Sequence, residues 1–276
     1  MSAALRRAAF AGSWYPRSEA AILAEVDGYL AAASPGAVAG RLVGLVSPHA
    51  GLHYSGPVAA YGYSLLRRQA PATVVLVGPS HRAAFEGVAV HAQGSWETPL
   101  GEVAIDEELA RALIAADATL FDDPGPHREE HSLELQMPFL QRVMPGLRIV
   151  PLLMGTQSRS EVEALARALA RVLPGRGAVL VASSDLSHYQ PAALASRLDA
   201  EVVGDVRGLD ADALMHRLEA RENVACGGGP LVAVMKAARE LGADRASVLR
   251  YADSGDAGGD KTHVVGYLSA VFAAGH

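Results

Sequence analysis

The amino-acid sequence predicts an α/β protein, a single domain over residues 1–276 with a central, mostly parallel or mixed sheet flanked by helices. Short apolar segments alternate with segments of helical periodicity almost throughout the chain. The apolar runs at 42–46, 73–77 and 178–182 lack polar alternation, which is typical of strands buried on both faces. No linker-like segment divides the chain, and half of its residues are apolar, so a full core is expected.

The first half of the chain begins with a helix capped by Ser18, followed by the strand at 42–46. Pro57 is expected to begin the next helix, which runs to about Gln69, because proline is tolerated in a first helical turn. The strand at 73–77 comes next. The remaining elements predicted here are a short strand at 87–91, a helix capped by Asp106, a helical piece at 129–136 and a strand at 148–154.

In the second half, Ser160 and Glu163 form the pattern of a capping box, which predicts a helix that ends near Pro174. The strand at 178–182 follows. The glycines after Cys226 lead to a helix that ends at about Leu241. The other elements are helices near 191–204 and 210–220 and closing strands at 248–251 and 263–272.

Polar residues follow three of the apolar strands at the point where each strand ends. His49 follows the strand at 42–46, His81 follows 73–77, and Asp185 and His188 follow 178–182. Open α/β sheets bind their ligands at the carboxyl ends of the strands. The repeated order of strand and histidine therefore predicts ligands or catalytic groups collected along one edge of one sheet.

The residue types at this edge suit a metal site. Imidazole and thiolate are good ligands for transition metals. Cys226 precedes a glycine run at a helix start, which favours a thiolate and a close backbone approach. Two histidines and a cysteine leave coordination positions open, as in a catalytic site. Asp185 and His188 suit a general acid–base pair beside the metal. Asp185 is also expected to accept a hydrogen bond from a site histidine and so to fix its tautomer. The alternative is that His49 and His81 cap helices while Cys226 is a buried small hydrophobe.

A second pattern, at residues 127–131, fits the H-x-x-E-H sequence of some zinc peptidases. Pro124 and Pro126 come directly before it and place His127 at a frayed helix start, so we expect His127 to lie outside the site. His131 and Glu134 either line the site or cap and solvate a surface helix.

Composition argues against two classes of partner. The formal net charge of −6 argues against a nucleic-acid binder, and no apolar run approaches the roughly 20 residues that cross a membrane. Cys226 is the only cysteine, so no disulfide forms within the chain and a cytoplasmic location is expected.

The chain resembles the MEMO family, whose bacterial and archaeal members are often called AmmeMemoRadiSam system protein B. The segments that carry the resemblance follow in the family's order from residue 10 to the final strand: Gly12-Ser-Trp-Tyr-Pro16, Ser47-Pro-His-Ala-Gly51, Tyr54-Ser-Gly56, Gly78-Pro-Ser-His81, Glu130-His-Ser-Leu-Glu134, Ser183-Ser-Asp-Leu-Ser-His188 and Cys226-Gly. The family's fold is similar to that of class III extradiol dioxygenases of the LigB type, so a LigB-like domain is implied.

The resemblance implies a role for each site residue. His49, His81 and Cys226 match the metal-site positions, His188 matches the dioxygenases' catalytic histidine, and Asp185 belongs to the same pocket. The other pocket residues implied are His131, as a further catalytic group, and Trp14, Tyr15, Tyr54 and Glu130. Extradiol dioxygenases bind Fe(II) through two histidines and a carboxylate, whereas Cys226 stands in the place of the carboxylate here.

Three functions follow from these residues together with what the resemblance implies. The first is a metal-dependent oxidoreductase with dioxygenase-like chemistry on an unknown small substrate, using Fe(II) or, as alternatives, copper or zinc. The second is a noncatalytic scaffold whose pocket binds a peptide or a partner, with AMMECR-type and radical-SAM proteins as candidates. The third is a zinc hydrolase.

Overall fold

The computed structural model describes residues 5–69 and 71–275. Within them, the strands are β1 (Leu5–Arg6), β2 (Arg41–Ser47), β3 (Thr73–Pro79), β4 (Val88–Val90), β5 (Ser95–Thr98), β6 (Gly101–Ala104), β7 (Leu120–Asp122), β8 (Arg148–Met154), β9 (Ala178–Ser183), β10 (His188–Gln190), β11 (Arg245–Asp253) and β12 (Val264–Ala274). The α-helices are α1 (Glu19–Ala32), α2 (Leu52–Leu66), α3 (Glu107–Ile114), α4 (Met137–Val143), α5 (Arg159–Val172), α6 (Ala192–Arg207), α7 (Ala211–Ala220), α8 (Gly228–Glu240) and α9 (Ser254–Gly258). A short 3-10 helix, Glu134–Gln136, leads into α4.

The central sheet is mixed and has nine strands in the order β10-β12-β2-β9-β3-β8-β4-β7, with β11 paired to β12. Its middle strands β2, β9, β3 and β8 are parallel, whereas β12 is antiparallel to β2 and β4 is antiparallel to β8. A separate three-stranded sheet has the order β1-β5-β6. The predicted fold class, an α/β protein with a mostly parallel or mixed sheet, is confirmed.

Burial explains the uninterrupted apolar runs. Every residue of β3 is buried, because β9 and β8 flank it on both sides and α8 packs against β2, β3 and β9. Parallel strands covered in this way carry apolar residues at every position rather than at alternate ones. No helix within the described residues is both long enough and apolar enough to cross a membrane.

Three predicted helix starts are wrong, and one of them is that of the helical piece predicted at 129–136, which begins only at Glu134. Helix α2 begins at Leu52 after Gly51, so Pro57 lies inside the helix and not in its first turn. The capping box of α5 is formed by Ser158 and Glu161, two residues before the predicted pair Ser160 and Glu163. The caps predicted at Ser18 and Asp106 are confirmed.

Candidate metal centre

The histidines predicted to converge follow strands that are neighbours in the sheet. Strand β9 lies between β2 and β3, so the chain segments that follow these three strands meet at one edge. One ligand atom each from His49, His81 and Cys226 lies within 4.8 Å of the other two. The three side chains therefore converge, and Cys226 reaches this edge from the loop before α8.

His49 is held in one tautomer by Ser183. The Ser183 hydroxyl donates its proton to the Ser132 carbonyl at 2.6 Å, so it accepts from His49 Nδ1–H at 2.8 Å. The lone pair is therefore on His49 Nε2, which lies 3.2 Å from Cys226 Sγ. Burial, reinforced by the charges of His81, His131 and His188, lowers the pKa of His49 well below its usual value. The ring is thus neutral, as a metal ligand must be.

His81 is held by a carboxylate rather than a hydroxyl. Its Nδ1–H donates to Glu130 Oε1 at 2.9 Å and its backbone N–H donates to Oε2 at 2.5 Å. Burial raises the pKa of Glu130, but the hydrogen bonds and charge of His81 and the Ser132 backbone N–H outweigh it and lower this pKa to about 2. Glu130 is therefore ionised and accepts from Nδ1–H, so in the neutral tautomer of His81 the lone pair is on Nε2, where a metal ligand needs it.

Cys226 is fixed by its contacts with the segment after β9. Its backbone N–H donates to the Asp185 carbonyl at 3.2 Å, and the Asp185 N–H donates to Sγ at 3.3 Å. A Cβ at Gly227 would lie 2.3 Å from the Ser183 carbonyl oxygen, so only glycine permits this approach. Burial raises the pKa of the Cys226 thiol, so a metal that binds here must displace its proton.

These donors fit a transition metal. Two imidazoles are each hydrogen-bonded at Nδ1, which directs their Nε2 atoms to the centre, and the third donor is a thiol. Imidazole and sulfur ligands suit iron, copper and zinc better than magnesium or calcium. Three protein ligands also leave open positions for a further ligand.

Asp185 contacts the backbone of His49 and not a histidine ring, which differs from the prediction. Asp185 Oδ1 accepts from the backbone N–H of His49 at 2.8 Å, so the expectation that it fixes a histidine tautomer is wrong. Ser183 and Glu130 have that role because they lie next to the rings, whereas Asp185 meets the His49 backbone. Burial raises the pKa of Asp185 to about 7.

His188 is not among the three convergent donors. Its Nδ1–H donates to the Leu186 carbonyl at 2.7 Å, which leaves Nε2 unprotonated in the neutral ring. Burial lowers its pKa, and repulsion between the charged forms of His188 and His81 lowers it further, so the two rings lie within electrostatic range of each other. The Nε2 lone pair of the neutral His188 ring can accept a proton.

His131 and the predicted aromatic residues differ in position: His131 and Trp14 pack near the centre, Trp14 and Tyr54 line a groove, and Tyr15 is buried. The His131 ring stacks on the His81 ring with centroids 4.5 Å apart. The centroid of the Trp14 ring lies 4.3 Å from that of His131. Burial lowers the pKa of His131 to about 4. Trp14 and Tyr54 line a surface groove of about 540 Å³. Tyr15 was expected in the wall, but it is buried and its hydroxyl donates to Glu134 at 2.7 Å.

Sequence reasoning missed Ser183 and Gln136, and it did not predict the role of Glu134, which is buried rather than on a surface helix. Ser183 orients His49, and Gln136 donates to Ser183 Oγ at 2.8 Å. Glu134 accepts from Tyr15, from the backbone N–H groups of residues 9 and 10, and from Arg6 at 2.7 Å, which anchors the segment that carries Trp14. The motif segments contain Ser183 and Glu134, but only their long-range contacts reveal these roles.

The peptidase pattern does not form a site. His127 is fully buried, and its Nε2–H donates to the Ala89 carbonyl at 3.1 Å. Residues 127–131 form turns rather than a helix, so His127 and His131 do not share a helical face. His127 packs instead against His91 and Trp96, as expected for a residue outside the centre.

Comparison with known proteins identifies the family. The family described as "Memo-like protein" matches residues 6–271. The chain belongs to this family. It is 37% identical over 272 residues to a MEMO1 family protein of Methanothermobacter thermautotrophicus, which covers 95% of this chain and 98% of that protein. It is also 37% identical to a MEMO1 family protein of Pyrobaculum aerophilum over 97% of this chain and 99% of that one.

A solved structure shares the fold of this Memo-like chain. It is an uncharacterized protein of Escherichia coli K12 with a TM-score of 0.57 and 16% identity, covering 83% of this chain and 99% of that chain. At this identity the likeness concerns the fold alone. The likeness to LigB-type dioxygenases stays a prediction.

Proposed function

We propose that this Memo-like protein is a metal-dependent oxidoreductase that acts on a small substrate, with His49, His81 and Cys226 as ligands. The observation that carries the proposal is the convergence of two imidazoles, each hydrogen-bonded to an oxygen at Nδ1, on one thiol at the sheet edge. Fe(II) is the metal we propose first, with copper and zinc as alternatives. The single cysteine of the chain suits a reducing cytoplasm.

In this proposal a bound redox-active ion supplies one-electron or oxygen chemistry. The protein's own residues supply the rest. His188 accepts a substrate proton at Nε2, because its Nδ1–H is committed to the Leu186 carbonyl. Asp185 holds the His49 backbone in place and Glu130 holds the His81 ring, so the donors stay aligned during turnover.

The groove beside the centre supports a substrate with a planar apolar part. Trp14 and Tyr54 line it, and Tyr189, next to His188, is 71% exposed and also lines it. Tyr189 has a backbone φ of 59°, in the left-handed region that bulky residues rarely adopt. Such strain is concentrated at functional sites, which favours a role for Tyr189 in holding a ligand.

The first test separates proton transfer from metal binding. We expect His188→Ala to reduce turnover at least 100-fold while metal affinity stays within about twofold, because His188 acts on substrate protons and not on the metal. Turnover is measured as O₂ uptake by anaerobically loaded Fe(II) protein across a panel of small aromatic diols. His216→Ala, which changes an exposed histidine on α7, is the matched control.

The exposed aromatic residues of the groove also favour a second function, a noncatalytic scaffold that binds a peptide or a partner protein. AMMECR-type and radical-SAM proteins are the candidate partners. Pull-down by the wild type and by His49→Ala distinguishes the two functions. Partner capture that survives the loss of the metal, together with no O₂ uptake with any metal, would overturn the enzyme proposal and leave the scaffold.

A further inference from the structure

A second concave region lies next to the segments that carry His81 and Glu130. It is a cavity of about 620 Å³ that neither the ligands of the metal centre nor the aromatic groove contributes to. Arg82, directly after His81, and Glu129, directly before Glu130, are among its lining residues. Phe10 separates it from the metal centre, since this ring contacts both His131 and the Arg82 guanidinium.

The charge of this cavity is opposite to that of the chain. Arg7, Arg82 and Arg128 line it, and no carboxylate within the described residues lies in ion-pair distance of any of them. Glu129 is the acidic residue in the lining. The buried Arg6 is neutralised by Glu134 and does not add to the excess. Three uncompensated guanidinium groups in one cavity of a chain with net charge −6 create a local attraction for anions.

A buried hydrogen-bond donor adds a second, independent observation. His91 lines the cavity and is 2% exposed. The Trp96 indole can only donate, and it donates to His91 Nδ1 at 2.7 Å, so the neutral ring carries its proton on Nε2. Burial, followed by the charge of Arg6, lowers the pKa of His91 to about 4, which keeps the ring neutral.

No atom within the described residues forms a hydrogen bond of normal geometry with this Nε2. The Gln93 backbone still interacts weakly with the ring, as an acceptor that favours the protonated form. The His127 ring is 5.6 Å away between centroids, and no hydrogen bond joins the two rings either. An unpaired buried donor costs about 1–3 kcal/mol, so an acceptor is expected at this position.

We propose that this cavity binds an oxyanion, the phosphate or carboxylate group of a small molecule, between Arg7, Arg82, Arg128 and the Nε2–H of His91. Guanidinium groups bind both anions through paired, charge-assisted hydrogen bonds, and the imidazole supplies one further donor. The site is distinct from the metal centre and does not depend on the metal.

Anion titration followed by NMR tests the site directly. The chain has two tryptophans, so Trp14→Phe identifies the indole signal of Trp96, which reports on His91 through their hydrogen bond. Inorganic phosphate and acetate are titrated at constant ionic strength against chloride. We expect a saturable shift of the Trp96 signal with one of the two anions, and the tighter of them identifies the group that the site prefers.

Variants locate the anion. Arg7→Gln and Arg128→Gln should each weaken its binding about 5- to 10-fold, whereas Arg207→Gln, an exposed arginine of α6, should leave it unchanged. Equal shifts with chloride, a Trp96 signal that does not respond, or unchanged affinity in both cavity variants would each overturn the proposal. Metal binding at the centre is measured separately on the same samples, so its failure would not be confused with failure of this site.

Discussion

Two pairs of histidines in this protein have similar ring separations and opposite hydrogen-bond patterns. The centroids of His49 and His81 are 5.2 Å apart, and those of His91 and His127 are 5.6 Å apart. In the first pair both Nδ1 atoms donate, so both Nε2 atoms carry lone pairs near a thiol. In the second pair His91 accepts from Trp96 and His127 donates to Ala89, so one free nitrogen is a donor and the other an acceptor.

The difference teaches that proximity of two histidines does not define a metal site. What matters is whether their other nitrogens are held by acceptors, which leaves both lone pairs free, and whether a third ligand is within reach. The predictions below test this contrast.

The largest expected effect is that of Cys226→Ser on metal affinity. Zinc sites with four protein ligands are worth about 10–16 kcal/mol, so one ligand contributes roughly 3 kcal/mol, or a factor of about 100. We expect a loss of this size, measured by competition with a chelator of known affinity. His127→Gln should leave metal affinity unchanged. An equal loss in both variants would mean that the second pair also binds the metal.

The second pair should instead affect acid stability. Burial, followed by the charge of His91, lowers the pKa of His127 to about 3, against an ordinary value of 6.5. The unfolded chain therefore binds more protons below pH 6.5, and stability falls as the pH falls from about 6.5 towards 3. By pH 5 the loss for this residue is about 2 kcal/mol.

Urea unfolding between pH 7.5 and 5 measures this dependence. The slope of unfolding free energy with pH should be smaller in His127→Gln than in the wild type. His216→Gln, in an exposed position on α7, should keep the wild-type slope. An unchanged slope in His127→Gln would show that His127 does not stay neutral in the folded protein.

Removing the charged partner of His81 should have an intermediate effect. Glu130→Gln keeps the shape of the side chain but replaces a charge-assisted acceptor by a neutral one. Because groups behind a metal ligand typically change affinity 10- to 100-fold, we expect a loss of about 20-fold. The measurement is the same chelator competition, and a loss below twofold would mean that Glu130 only anchors the backbone of His81.

The neutral partner of His49 should matter least. Ser183→Ala removes the hydroxyl that accepts from His49 Nδ1, and we expect a loss of metal affinity of about 10-fold. Ser187→Ala is the matched control, because the Ser187 hydroxyl is also buried but forms no hydrogen bond within the described chain. A loss in the control as large as in Ser183→Ala would trace the effect to packing.

The convergence of the two candidate histidine ligands could be predicted from the sequence, because each follows within two residues of a strand that is almost entirely buried. Parallel strands bring such residues to one edge whatever the details of packing. The residues that orient them could not be predicted in the same way. Ser183 and His49 are 134 residues apart, and Tyr15 and Glu134 are 119 apart, so no local pattern links them.

The wrong helix starts have a similar cause. Both Ser158 with Glu161 and Ser160 with Glu163 fit the capping-box pattern, and the sequence alone does not distinguish them. Glu161 is selected because it also accepts from the distant Gly87 backbone and from Thr156. Pro57 suits the first turn of a helix by its local sequence, but α2 already begins at Leu52, so Pro57 lies inside the helix.

The contact between Cys226 and His49 joins residues 177 positions apart in the chain. At about 5–20 residues per second, a ribosome adds the cysteine roughly 10–35 s after the histidine. The nascent protein therefore holds an incomplete donor set until Cys226 has been added, and the thiol meets its partners only when α8 docks on the sheet. A metal ion can therefore be held by all three donors only after this late step of folding has brought the thiol to the two histidines.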